Sequence, residues 1–184
     1  DERWLFTIHV KTDLDEQVIS AIKAGKSVVL TGNPGDGKTH LLRILATQLT
    51  GLGNQPVVEL DASAVPNATL KAKWEQAIAT GHPFCVAINE AVLKDLADTY
   101  PDFSMVQEAQ RQVEQAVIYA ADTAPESNVV VFDLSRRNIL SSKIVSQVLD
   151  ILTDEQRLPR CSVCPKEGCD LVQNQKLLRH QRVR

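Results

Sequence analysis

Eight consecutive residues, Gly32 to Thr39, read GNPGDGKT and match the pattern GxxxxGK[ST]. Each residue type in that pattern has a task if the ligand is a chain of phosphates. Main-chain N–H groups can surround a phosphate only where no side chain intrudes. Gly32, Gly35 and Gly37 clear that space and allow the positive φ angles of a tight wrap, with Asn33, Pro34 and Asp36 completing the loop. Lys38 can reach the β- and γ-phosphates as a point charge, and Thr39 can offer its hydroxyl to Mg²⁺. His40 follows, facing solvent or the rim of the nucleotide. A helix starting here adds the positive end of its dipole.

Hydrolysis asks for more, namely a carboxylate near the attacking water at the end of a neighbouring strand. Two strand-like runs end in suitable groups. CVAINEA supplies Asn89 and Glu90. VVVFDLSRRN supplies Asp133, followed by Arg136, Arg137 and Asn138. Plainer roles compete for each. Asn89 is a good helix N-cap, Glu90 an acid favoured by a helix start, and the arginines ordinary solvated charge.

A third group lies near the end of the chain, where CSVCPKEGC places Cys161, Cys164 and Cys169 in a C-x₂-C-x₄-C spacing, with His180 beyond. Zinc takes four thiolate or imidazole ligands in a tetrahedron, and C-x₂-C sets two sulfurs on one turn. Structural zinc held by these four residues, reduced cysteines in a packed loop, and redox chemistry all remain open. Cys85, alone inside PFCVAIN, reads as a small buried apolar residue.

These residues must be positioned by alternating elements. DLDEQVISAIKAG has helical spacing, SVVLTG is strand-like, and KTHLLRILATQLTGLG is helical again. PVVELDAS, PFCVAINEA and NVVVFDLS read as further strands, separated by helices over ATLKAKWEQAIATG, AVLKDLADTY and SMVQEAQRQVEQAVIYAADTA. SSKIVSQVLDILTDEQ is a last helix. Strands joined through helices imply crossover connections, hence an α/β fold with a mostly parallel sheet flanked by helices on both faces. The expected division is a nucleotide-binding core over 1–158 and a cysteine-containing segment over 159–184.

Composition sets the outer bounds. The 184 residues carry a net charge of −3, are 43% apolar and 23% charged, and suffice for one domain with a sizeable core. The surface as a whole is therefore not built for polyanions, although a local basic patch and a nucleic-acid partner stay open. No apolar run approaches the roughly 20 residues that span a bilayer, and no signal peptide opens the chain. A cytoplasmic location without membrane contact is expected. The start at Asp1 and the basic end RHQRVR suggest a piece of something longer.

With its P-loop between strand and helix, the stretch Ser27 to Asn138 resembles P-loop ATPases of the AAA+ and STAND class. That resemblance implies ATP and Mg²⁺ as ligands. It puts Glu90 on the water-polarising glutamate, and Asn89 where the class usually has a magnesium-holding aspartate. An amide there brings no charge. VVVFDLSRRN then becomes a strand that senses the γ-phosphate, with Asp133, Arg136, Arg137 and Asn138 as the candidates; alternatively, it is the magnesium strand, with Asp133 as its carboxylate. The strings GNPGDGKT, AINEA and VVVFDLSRRN, with the cysteine cluster, are also similar to ATPases of bacterial anti-phage systems, such as DNA phosphorothioation-dependent restriction proteins. Such modules often self-assemble or engage protein partners, a neighbour's arginine completing the site. Three functions compete: an ATPase, a nucleotide-gated scaffold with little hydrolysis, and a small-molecule kinase, which the long helix before NVVVFDLS and the cysteines fit poorly. No NKxD-type guanine reader is visible, which favours adenine.

Overall fold

The run SVVLT has all five residues buried, a pattern reached by interior strands covered on both faces. A computed structural model of the protein describes residues 8–50, 55–119, 127–136, 141–154 and 169–180. The elements are α1 (Asp13–Lys23), β1 (Ser27–Thr31), α2 (Lys38–Gln48), β2 (Val57–Glu59), α3 (Asn67–Ala79), β3 (Phe84–Ala87), α4 (Glu90–Thr99), α5 (Ser104–Tyr119), β4 (Val129–Asp133), α6 (Ser142–Thr153) and α7 (Asp170–Arg179), with short 3₁₀ turns at Ala62–Ala64 and Leu134–Arg136.

All strand pairs are parallel, in the order β2-β3-β1-β4. The expected α/β architecture is thus the observed one. In register, Leu30 lies beside Ala87 on one side and Phe132 on the other, so β1 is held between two neighbours along most of its length.

Strand alternation divides the core into two layers. On one face, Val29, Phe84, Val86 and Val129 meet Leu70 and Trp74 of α3, Leu93 and Leu96 of α4, and Val106 and Ala109 of α5. Trp74 stacks on Phe84 at 5.1 Å between ring centroids and meets Phe103 edge-on at 5.5 Å, which makes it the anchor of this layer. On the other face, Val28, Leu30, Cys85 and Ala87 meet Val18 and Ile22 of α1 and Leu41, Leu42 and Leu45 of α2. Burial pushes the Cys85 thiol up to about 12, so it stays protonated and serves as packing.

Strand β4 is an edge strand, yet its outer side is engaged. Ser27 N–H donates to Asn128 O, so alternation turns Val129 and Val131 away from β1. The Gln112 amide of α5 takes both groups: its Nε2 donates to Val129 O at 2.9 Å, and its Oε1 accepts from Val131 N at 3.1 Å. Glu108 and Ser127 accept further bonds from the same Nε2. The Arg111 guanidinium in turn holds the Glu108 carboxyl below its ordinary range.

The chain forms two compact units, Asp13–Arg137 and a second one drawn from 1–12 and 138–184. The first contains the whole sheet. In the second, α6 packs with α7, and Ser141 Oγ caps α6 by accepting from Ile144 N at 3.4 Å. Helix α6 thus belongs to the second unit and not to the one that bears the sheet. No helix among the described residues is long and apolar enough to cross a membrane.

Replacing Gln112 by Leu strands a carbonyl and an N–H of β4 without their partner. The expected cost is about 1–3 kcal/mol, read as a lower midpoint in urea unfolding with little change in slope.

Candidate functional site

Parallel strands bring their carboxyl ends to one edge of the sheet, so the residues that follow β1, β2 and β3 meet there. After β1 the chain turns through Gly32–Gly37 into α2, with φ of 132° at Gly32, 92° at Gly35 and 88° at Gly37. Asp36 steadies this loop by accepting from Asn33 N at 2.6 Å, and Asp36 N donates to Asn33 O at 3.2 Å. Gly37 is the N-cap of α2 and offers no side chain to its first turn. The N–H groups of that turn can therefore serve an anion.

Lys38 is almost wholly buried, and its Nζ donates to Gly32 O and Asn33 O, both at 2.8 Å. These two carbonyls hold the ammonium at the inner wall of the loop, while Thr39 Oγ1 donates to Leu60 O at 3.0 Å, tying α2 to the end of β2.

A cleft of about 460 Å³ opens over this loop, within the range of small-molecule sites. Pro34, Gly35, Gly37, Lys38, Thr39 and His40 form one side; Asp61, Ser63 and Asn89 form the other. Asn89 stands at the N-cap of α4, but its side chain makes no capping bond. Its Nδ2 instead points across to Ser63 Oγ at 3.4 Å, so this residue belongs to the cleft rather than to the helix end.

The other expected residues are placed differently. Glu90 opens α4, is exposed, and does not line the cleft. Asp133 ends β4 on the opposite side of β1 from β3, where its Oδ1 accepts from Ser135 N at 2.9 Å and Ser135 Oγ at 2.6 Å. Neither Asp133 nor the exposed Arg136 lines the cleft, although the turn after β4 abuts the loop at Gly32. Arg137 and Asn138 lie outside the described residues.

The four-ligand zinc arrangement is not assembled by what is described. Cys161 and Cys164 lie outside the described residues. Cys169 and His180 flank α7 at opposite ends. A helix rises 1.5 Å per residue, which separates them by about 16 Å, whereas ligands of one zinc lie within about 4 Å of each other. These two residues do not share one ion. Among the described residues, no group of three or more His, Cys, Asp or Glu side chains could hold a metal.

Magnesium is a different case, because it takes hard oxygens, few of them from protein, and shares the rest with phosphates and water. The Thr39 hydroxyl and the Asp61 carboxylate are of that kind, so the cleft suits such an ion.

Asp61 and Ser63 were not singled out by the motif reading. PVVELDAS does carry an acid just past its strand, Asp61, much as VVVFD carries one at its end, and the same strand-end logic applies to it.

Residues 9–81 match the family model of novel STAND NTPase 3, a span that includes the loop, β2 and Asp61. The chain is similar to STAND NTPases. Neither a curated protein nor a solved structure matches it. This likeness and the loop geometry together support a nucleotide-binding module at the level of an NTPase.

A Cβ at Gly32 would lie 2.7 Å from Asp36 Oδ2 and 3.0 Å from Ser135 N, whereas one at Gly35 would meet nothing within 4 Å. Gly35→Ala should carry backbone strain alone, about 1–3 kcal/mol. Gly32→Ala should lower the melting temperature further and abolish nucleotide binding, measured by thermal unfolding with and without an ATP analogue.

Proposed function

We propose that this chain is an ATP-binding module that hydrolyses Mg–ATP and turns nucleotide state into altered contacts with a protein partner or a second copy. The observation that carries the reading is the convergence of the Lys38 ammonium, the open first turn of α2 and the Thr39 hydroxyl on one cleft. Lys38 would exchange its two carbonyl partners for phosphate oxygens, and the α2 amides would surround the next phosphate. A magnesium ion held there would supply positive charge against that of the phosphates. Thr39 would hold it through its hydroxyl oxygen. Glu90, one residue past Asn89 at the start of α4, would orient the attacking water.

The absence of an NKxD-type guanine reader in the sequence favours adenine. The strings GNPGDGKT, AINEA and VVVFDLSRRN, through their likeness to anti-phage ATPases, suggest DNA restriction as the process driven.

One observation favours a second reading. The strand-end residue in the cleft is an amide, Asn89, and Glu90 does not line the cleft. A nucleotide-gated scaffold with little turnover would need no more than this. Phosphate release measured with and without DNA or a partner protein separates the two readings.

Lys38→Ala should weaken ATP-analogue binding about ten- to hundredfold by calorimetry, the loss of a charged hydrogen bond to phosphate. Equal affinity in the variant and the parent removes the proposal. Glu90→Gln should keep binding and slow phosphate release about a hundredfold or more. Unchanged release would transfer the role from Glu90 to another group.

A further inference from the structure

The geometry points to Asp61, two residues past the end of β2, as the carboxylate that holds the nucleotide's magnesium in this cleft. The inference rests on the nucleotide-binding reading above and names a residue for its metal.

Among the described residues lining the cleft, Asp61 is the one carboxylate. The remaining side chains there are the Lys38 ammonium, the His40 imidazole, the Thr39 and Ser63 hydroxyls, the Asn89 amide and the Pro34 ring. Magnesium on a protein usually relies on one or two carboxylates besides phosphates and water. Asp36 bonds to Asn33 N within the loop and does not line the cleft, so it is not that group.

Asp61 is also held in place. Its Oδ1 accepts from Ser63 N at 3.0 Å and caps the 3₁₀ turn Ala62–Ala64, while its second oxygen has no partner among the described residues. The neighbouring Leu60 carbonyl takes the proton of the Thr39 hydroxyl, which leaves the lone pairs of Thr39 for a cation. That single bond ties α2 to the residue just before Asp61, and both oxygen donors line the cleft. Asn89 reaches the same turn through Ser63 Oγ and acts as a positioning residue. The negative charge lacking at the end of β3 is thus supplied one strand over.

Calorimetric titration with the non-hydrolysable analogue AMP-PNP, in EDTA and in excess Mg²⁺, tests the assignment on the full chain. Asp61→Asn retains an N-cap for the turn, so the local fold survives the exchange. With Mg²⁺, the variant should bind about ten- to hundredfold more weakly than the parent. In EDTA it should bind equally well or better, because a negative charge facing the phosphates is gone. These opposite signs identify a metal-holding role. Equal weakening in both conditions would mark Asp61 as structural and overturn the inference, as would a full Mg²⁺ enhancement in the variant. A parent protein that binds AMP-PNP in neither condition removes the nucleotide reading and this inference with it, a pattern distinct from the other two. Mn²⁺ in place of Mg²⁺ gives an independent readout, since its electron paramagnetic resonance spectrum with AMP-PNP should differ between parent and Asp61→Asn.

Discussion

Main-chain amides can face a polyanion only if the backbone that carries them keeps its shape without ladder partners of its own. Here that demand falls on β1. Its neighbours β3 and β4 hold it on both sides, and its five residues are all buried. The loop leaves from a fixed point, and α2, anchored beneath the sheet by Leu41, Leu42 and Leu45, receives it at another. Between those anchors the backbone turns through positive φ, with Gly32 packed so closely against Asp36 and Ser135 that no side chain fits. The rigidity of the sheet becomes, at its edge, a defined arrangement of N–H groups.

Charge in the cleft follows from the same geometry. One ammonium lies at the inner wall, held by two carbonyls, and one carboxylate stands across from it on a separate strand end. A triphosphate entering between them meets attraction from the loop side and repulsion from the other, unless a cation intervenes. On the proposed reading, metal and nucleotide would each favour the binding of the other. The Thr39–Leu60 bond is the physical link between the two walls.

How much of this could be read from residues in order depended on whether the relevant neighbours were consecutive. The loop was legible because its chemistry needs eight adjacent residues between a strand and a helix. The alternation of strands and helices was legible for similar reasons, and the parallel sheet follows from it. Asp61 was not, because its place beside Thr39 depends on the spatial order β2-β3-β1, which segment types do not reveal. Asn89 and Glu90 could not be separated by sequence, since a helix start divides them and only the first lines the cleft. Helix α7 was hidden by its spacing, as DLVQNQKLLR carries its apolar residues in two adjacent pairs, Leu171–Val172 and Leu177–Leu178, with no three- or four-residue interval between them.

The Gln112 amide has a consequence beyond the stability of its own neighbourhood. A primary amide carries the same donor and acceptor as a peptide unit, and here it occupies the positions where an added strand would place one. Any segment that tried to zip onto β4 would first have to evict Gln112, and no gain in bond number at those two sites would reward the exchange. Intermolecular templating of β-structure from this side is thus discouraged at the cost of one side chain, without proline, lysine or a bulge on the strand itself.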